Sequence, residues 1–318
     1  MNASRWVLIA ANPKSGSGPS GELVQRLADQ IEQRGFKVEV IRSLDQLKQT
    51  AEHLHSRRDL HCVVCAGGDG TVAVVANLLP HDISLFVFPL GTENLLAKHW
   101  GLSRDVAQAC TAIVGGRTIQ MDVGLANGKM FLVMLGCGFD AEVVRQMDLR
   151  RTGHITRFSY TMPILRALKG YRFPQLKWDA HCANQSGQAA WLFAFNVPRY
   201  GGNLSFFPDA DPCDGRLDLC LFKRSGIWKG CNYLFQLWRQ KHQQLEDFQH
   251  ACFRKLSVEA PVDTKGQAIQ VPYQLDGDPG GFLPLEVETL PARLKLIVPH
   301  TTPASDPIPV SPMPVPTT

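Results

Sequence analysis

Apolar and polar positions follow two rhythms along the chain, and the change between them falls near residue 115. In the first half, short apolar runs alternate with stretches whose apolar residues recur at helical spacing. Trp6–Ala11 reads as a buried strand, residues 12–18 as a loop, and residues 21–34 as an amphipathic helix that stops at Gly35. Residues 36–42, 60–66 and 84–89 read as further strands, with helices over Leu44–Ser56, residues 72–79 and from Leu95 onward. Strands alternating with helices predict a parallel sheet covered on both faces, an α/β arrangement.

Beyond Gly115 the period shortens. Residues 118–125, 129–136, 175–183, 189–198, 216–222, 251–260, 268–275 and 283–299 read as strands separated by turn residues, and residues 141–149, 156–171 and 228–242 as helices. The expected fold is therefore an α/β domain with a parallel sheet over residues 1–125 and a β-rich antiparallel sandwich over 126–299. Its last strand is placed so that it can return to the first domain. The tail, residues 300–318, is rich in Pro, Thr and Ser and is expected to be disordered.

Composition narrows this picture only slightly. The chain has 318 residues and a formal charge of +4, too mild to imply nucleic acid and compatible with weak attraction to anionic membrane. Nine cysteines at irregular spacing fit a reducing cytosol better than a disulfide framework. Cys62 and Cys65 form a nominal CxxC but lie inside an apolar strand, which argues against metal or redox use. No apolar stretch has the length of a signal peptide core or a membrane span, so the expectation is a cytoplasmic or peripheral protein.

Three turns follow strand ends: residues 12–18, Gly67-Gly68-Asp69-Gly70-Thr71, and Gly91-Thr92-Glu93-Asn94. Loops at the carboxyl ends of parallel strands share one rim, so the three should meet at one cleft. Adjacent glycines let backbone N–H groups approach a phosphate, and Asp69 is placed to hold a metal-bound water. Lys14 offers a point charge. There is no GxxxxGK[ST] and no spaced GxGxxG, which excludes a Walker loop and a dinucleotide fingerprint.

Seven motifs in order carry a family resemblance: NPKSGSG at 12–18, GGDGTV at 67–72, PLGTEN at 89–94, MDVG at 121–124, GCGFDAEVV at 136–144, DGRLDL at 214–219 and QLDGD at 274–278. The chain resembles the diacylglycerol kinase catalytic-domain family, soluble bacterial lipid kinases related to sphingosine and ceramide kinases. The resemblance implies transfer of the ATP γ-phosphoryl group to a lipid hydroxyl, with diacylglycerol the first-ranked acceptor and Mg²⁺ assisting. It implies nucleotide contacts at Asn12, Pro13, Lys14, Ser15, Gly16, Gly67, Gly68, Asp69, Gly70, Thr71, Thr92, Glu93 and Asn94. Asp69 and Asp278 would be catalytic, with Asp278 as the base on the lipid hydroxyl. A structural magnesium site would draw on Asp214, backbone carbonyls of Asp211 and Arg216, and Asp122.

Three positions depart from the family. Val74 stands where an acid is common, Leu95 follows Asn94 where an aspartate is common, and Asp278 is one methylene shorter than glutamate. Glu93 is the expected stand-in for the acid absent at Leu95. The basic, aromatic and apolar stretch over residues 155–172 is a candidate membrane contact, whereas Trp228 and Trp238 are expected in the core. The expected partners are a membrane lipid and its bilayer, with a homodimer through sandwich edges conceivable. The competing functions are an NAD kinase, which shares GGDGT, and a non-catalytic lipid or nucleotide sensor.

Overall fold

The protein is seen in a computed structural model that describes residues 5–11, 19–149, 171–181, 185–201, 204–300 and 302. Strands β1 (Trp6–Ala11), β2 (Lys37–Ile41), β3 (Leu60–Gly67) and β4 (Leu85–Pro89) pair in parallel in the order β2-β1-β3-β4. Helices α1 (Pro19–Gln33), α2 (Leu44–Ser56), α3 (Asp69–Leu78), α4 (Leu95–His99) and α5 (Val106–Gly115) connect and cover them. Val7, Leu8, Ile9, Val63 and Val64 are fully buried, the two-sided burial their unbroken apolar runs foretold. Helix α5 escaped the sequence reading because it is apolar nearly all round, with Val106, Ala109, Cys110, Ala112 and Ile113 buried. Its start was nonetheless written locally, since the Asp105 carboxylate accepts the Gln108 N–H at 2.9 Å.

The second half holds β5 (Arg117–Ala126), β6 (Lys129–Phe131), β7 (Met134–Cys137), α6 (Phe139–Asp148), β8 (Leu176–Ala180), β9 (Gln185–Ala189), β10 (Trp191–Phe195), β11 (Arg199–Tyr200) and β12 (Leu204–Ser205). After these come β13 (Leu217–Phe222), α7 (Ile227–Trp238), β14 (Phe248–Phe253), β15 (Lys255–Glu259), β16 (Pro272–Leu275), β17 (Asp278–Phe282) and β18 (Leu285–Val298). One sandwich sheet runs β14-β13-β10-β7-β16-β17. The other is formed by β18, β15, β8 and β9 with β5 and β6, and it continues into the parallel strands because Leu296 of β18 pairs with Leu85 of β4. Leu135, Leu192, Leu219, Leu256 and Leu285 fill the space between the two sheets.

Two segments read as single strands are each two strands in different sheets. Over residues 251–260, Ala251 and Phe253 face the sandwich core from β14, and Leu256 and Val258 face it from β15. The inward positions change parity at Arg254, so the chain must turn the corner there to keep both apolar sets inside. Residues 129–136 likewise split into β6 and β7. A further correction concerns α7: Trp228 and Trp238, expected in the core, are 86% and 71% exposed. The inward stripe of α7 is instead Gly230, Tyr233 and Leu237. The loop at 12–18, the helix expected at 156–171 up to residue 170, and the tail apart from residues 300 and 302 lie outside the described residues.

The β16–β17 hairpin turns at Asp276-Gly277, where both residues have positive φ, 52° and 86°, as a type I′ turn requires. The Asp276 carboxylate then accepts N–H groups from Leu132 at 2.7 Å, Val133 at 2.8 Å and Met134 at 3.0 Å. It thereby ties this hairpin to the connection between β6 and β7. Asp276→Ala would strand three buried donors and is expected to cost about 3–5 kcal/mol, measured by denaturant unfolding. An unchanged midpoint would show the clamp to be idle.

Candidate active site

Two of the three expected turns meet backbone to backbone. Gly67 ends β3, Gly68 caps α3, and Asp69, Gly70 and Thr71 form its first turn. Thr92, Glu93 and Asn94 lie between β4 and α4. A Cβ placed on Gly91 would fall 2.5 Å from the Gly68 Cα and 2.8 Å from Asn94 Oδ1, so the turns approach more closely than any side chain permits. Asn94, at φ 51°, accepts from the Gly91 N–H at 2.9 Å and donates to its carbonyl at 2.7 Å. Arg104 donates to the Pro89 carbonyl at 2.8 Å and to that of Gly91 at 2.6 Å. The expected loop partners Asn12, Pro13, Lys14, Ser15 and Gly16 lie outside the described residues, but Ala11, just before them, pairs with Ala66 beside the glycine turn.

Asp69 joins the two turns through both oxygens. It accepts the Leu95 N–H at 2.8 Å and the Leu96 N–H at 3.1 Å, capping the start of α4. Burial pushes its carboxyl up, and these two N–H groups pull it down. The residue read as holder of a metal-bound water is thus first a clamp, with one lone pair of each oxygen already engaged. Glu93 lines the same space and pairs with Lys98 at 3.3 Å.

A cavity of about 380 Å³ opens from this point into the second domain. Its walls are apolar, chiefly Trp191, Phe193, Phe206, Phe222, Leu234 and Leu237. Polar groups gather where it meets the turns: Asp69, Glu93, Asp140, Gln274 and Asp276. Asp140, in the first turn of α6, accepts from Gln274 at 2.9 Å and from the Tyr200 hydroxyl, and burial raises its carboxyl. The sequence reading quoted the motifs containing Asp140, Gln274 and Asp276 without giving these side chains roles. Only the tertiary fold brings them together, since Asp140 and Gln274 lie 134 positions apart.

Asp278, the expected base, is the first residue of β17 and is exposed. Its Oδ2 would lie 3.3 Å from a Cβ on Gly70, so it stands directly against the glycine turn. It lines a second cavity of about 300 Å³ together with Gly70, Val74, Asn77, Lys129 and Asp276. Asp276 borders both cavities, so the two adjoin at its side chain. Asp69 lines the apolar cavity and Asp278 its neighbour, on either side of Asp276 and both beside the glycine turn.

The expected magnesium residues gather elsewhere, around the loop before β13. Asp122 of β5 accepts the Gly215 N–H at 2.6 Å and the Ala292 N–H at 2.7 Å, which makes it an organiser of that loop. Asp211 accepts the Cys213 N–H at 3.0 Å, and Asp214 the Arg216 N–H at 2.9 Å. Burial, with the charges of Asp218, Asp211 and Asp122, pushes Asp214 up to about 6. The Arg254 guanidinium offsets part of that negative field at Asp122; the acidic character of the loop is compatible with the expected cation at Asp214 and the carbonyls of Asp211 and Arg216.

Comparison with known proteins places the chain in a family. The diacylglycerol kinase catalytic domain model matches residues 6–126, and the YegS C-terminal NAD kinase beta sandwich-like domain model matches residues 133–298, more than half of the chain. A Bacillus subtilis diacylglycerol kinase is 25% identical over 297 residues, covering 92% of this chain and 95% of its own. A Mycobacterium tuberculosis diacylglycerol kinase is 27% identical over 305 residues, covering 92% and 95%. The crystal structure of a Bacillus anthracis diacylglycerol kinase superposes with a TM-score of 0.66 at 19% identity, over 95% of this chain and 99% of that one, a likeness of fold. With both halves matched in order, the chain belongs to the diacylglycerol kinase catalytic-domain family of lipid kinases.

Proposed function

We propose that the protein transfers the γ-phosphoryl group of ATP to the hydroxyl of diacylglycerol, forming phosphatidic acid. The observation that supports this most is the apolar cavity of about 380 Å³ whose one polar end abuts the glycine turn. Acyl chains fit such walls, and a hydroxyl would be left at the carboxylate end. Backbone N–H groups at the start of α3 face the phosphates. Asp278 takes the acceptor proton as the new O–P bond forms and the bond to the leaving ADP breaks. A divalent cation supplies charge neutralisation, and Asp214 with Asp211 would hold a structural one. Glu93, beside Asp69, supplies the acid absent at Leu95.

The same reading places the protein at a membrane surface. Ile227, Trp228, Cys231, Leu234, Phe235 and Trp238 form one outward stripe on α7. Arg224, Arg239 and Lys241 are exposed around it. Leu234 and Leu237 of the same helix line the apolar cavity, so a lipid leaving the bilayer interface would meet its pocket at once. Among the described residues no helix is long and apolar enough to cross a membrane.

Incubation with labelled ATP and a panel of lipid alcohols, with NAD in parallel, is expected to label diacylglycerol above the other acceptors. Label in NAD alone, or in nothing, overturns the reading. Asp278→Asn should lower turnover at least about a hundredfold with little effect on ATP affinity; near-normal turnover removes Asp278 as the base. Gly91→Ala should weaken nucleotide binding at least tenfold and cost about 1–3 kcal/mol in stability by separating the turns.

Trp228→Ser with Trp238→Ser should reduce sedimentation with anionic vesicles while sparing turnover on a short-chain, water-soluble diacylglycerol. Equal loss with both acceptors would point to misfolding instead. Asp214 adds a pH test. Because its folded pKa is raised, its contribution to stability is present below the unfolded value near 4 and is lost as pH rises through about 6. A bound cation would offset that loss, so Mg²⁺ should raise the melting temperature more at about pH 7.5 than at about pH 5. Asp214→Asn should abolish the difference.

A further inference from the structure

Strand β13 alternates strictly: Leu217, Leu219 and Leu221 enter the sandwich core, which turns Asp218 and Cys220 to the opposite face. On the antiparallel neighbour β14, Cys252 stands directly opposite Asp218, and His250 directly opposite Cys220. The sequence Asp218-Leu219-Cys220 thus faces His250-Ala251-Cys252, and the period of two brings four metal-ligating side chains together on one sheet face. Neither the nucleotide turns nor the lipid cavity uses this cluster.

Three of these side chains converge. His250 Nε2 lies 2.7 Å from Asp218 Oδ1, Cys252 Sγ lies 3.4 Å from the same oxygen, and Sγ lies 4.0 Å from Nε2. A triangle with these edges has its circumcentre inside it, about 2.0 Å from each atom, close to the ~2.0–2.3 Å at which nitrogen, oxygen and sulfur bind Zn²⁺. Tetrahedral coordination would even the edges out to about 3.3–3.6 Å, so each donor shifts by roughly half an ångström or less. A simple His–Asp pair needs no thiol within reach of both partners.

The surroundings suit such a site. Asp218 is 6% exposed, whereas His250 and Cys252 remain partly open to solvent, so an ion has a way in and the fourth position can take water. Phe207 stacks on the His250 ring, with centroids 3.8 Å apart and planes within 14°, and holds the imidazole in place from outside.

We propose that Asp218, His250 and Cys252 form a binding site for a borderline-soft transition metal, Zn²⁺ above all, distinct from the hard-oxygen cation site of the diacylglycerol kinase family at Asp214. Binding replaces the Cys252 thiol proton, which leaves to solvent, with a metal–sulfur bond. It leaves Nε2 as the ligating nitrogen, with the remaining imidazole proton on Nδ1. The mixed sulfur, nitrogen and carboxylate set selects against Mg²⁺ and Ca²⁺. Because Phe207 stacks on the ligand histidine and the adjacent Phe206 lines the apolar cavity, the ion would fix the chain entering the loop that carries Asp211 and Asp214.

The test is a titration of tag-free, metal-stripped, full-length protein with Co²⁺, followed by competition with Zn²⁺. The expected result is about one equivalent bound, with a sulfur-to-cobalt charge-transfer band that Zn²⁺ bleaches and excess Mg²⁺ does not. Cys252→Ser should abolish the band, and His250→Gln should weaken binding at least tenfold, both with unchanged far-UV circular dichroism. Cys231→Ser, at an exposed thiol on α7, should leave the band intact. Zn²⁺ should also raise the melting temperature of the unsubstituted protein and not of Cys252→Ser. Absence of stoichiometric binding, or a band of full intensity in Cys252→Ser, overturns the proposal.

Discussion

A carboxylate taken out of water is tolerable only where it finds donors, and this protein uses that requirement once in each half to fix the loops that border its cavities. Asp276 gathers three consecutive N–H groups from residues 132–134, and Asp69 gathers two from residues 95 and 96. Each closes a loop that would otherwise leave backbone donors buried without partners. The two charges feel each other: Asp69 is one of the groups raising the Asp276 carboxyl, which burial chiefly pushes to about 6. Loosening either clamp would separate strand ends that the glycine turns can bring together only at backbone contact.

From that frame the division of labour follows. The parallel layer supplies backbone donors at strand ends, and the sandwich supplies an apolar hollow; Asp276 borders both cavities. Helix α7 is apolar on two sides. Its inner stripe packs on the sheet, where Gly230 leaves room for Trp191: a Cβ there would fall 2.5 Å from that ring. Its outer stripe carries Trp228 and Trp238, which the fold leaves uncovered.

The acids of the second domain sort by their donors. Asp122 accepts one backbone N–H on each oxygen and orients a loop, while Asp214 is crowded by like charge. Asp218 faces imidazole and thiol, a softer environment altogether. Three carboxylates within one region thus have different chemistry, set by what each one touches.

Much of this was legible in the chain. The unbroken apolar runs at β1, β3 and β4 announced a sheet buried on both faces, the glycine turns announced where backbone must approach closely, and seven ordered motifs carried the family. Even the corner at Arg254 was written as a change of parity, which was missed. What local pattern could not decide was partnership across the fold. The outward stripe of α7 is as apolar as a core stripe, so exposure of Trp228 and Trp238 depends on what lies opposite. Asp140 with Gln274, Asp276 with residues 132–134, and Asp218 with His250 and Cys252 meet only after strands far apart in sequence pair. A sequence determines which residues must leave water and where the backbone must bend. Which buried charge answers which donor is a matter of distance in space, and the tertiary structure alone decides that.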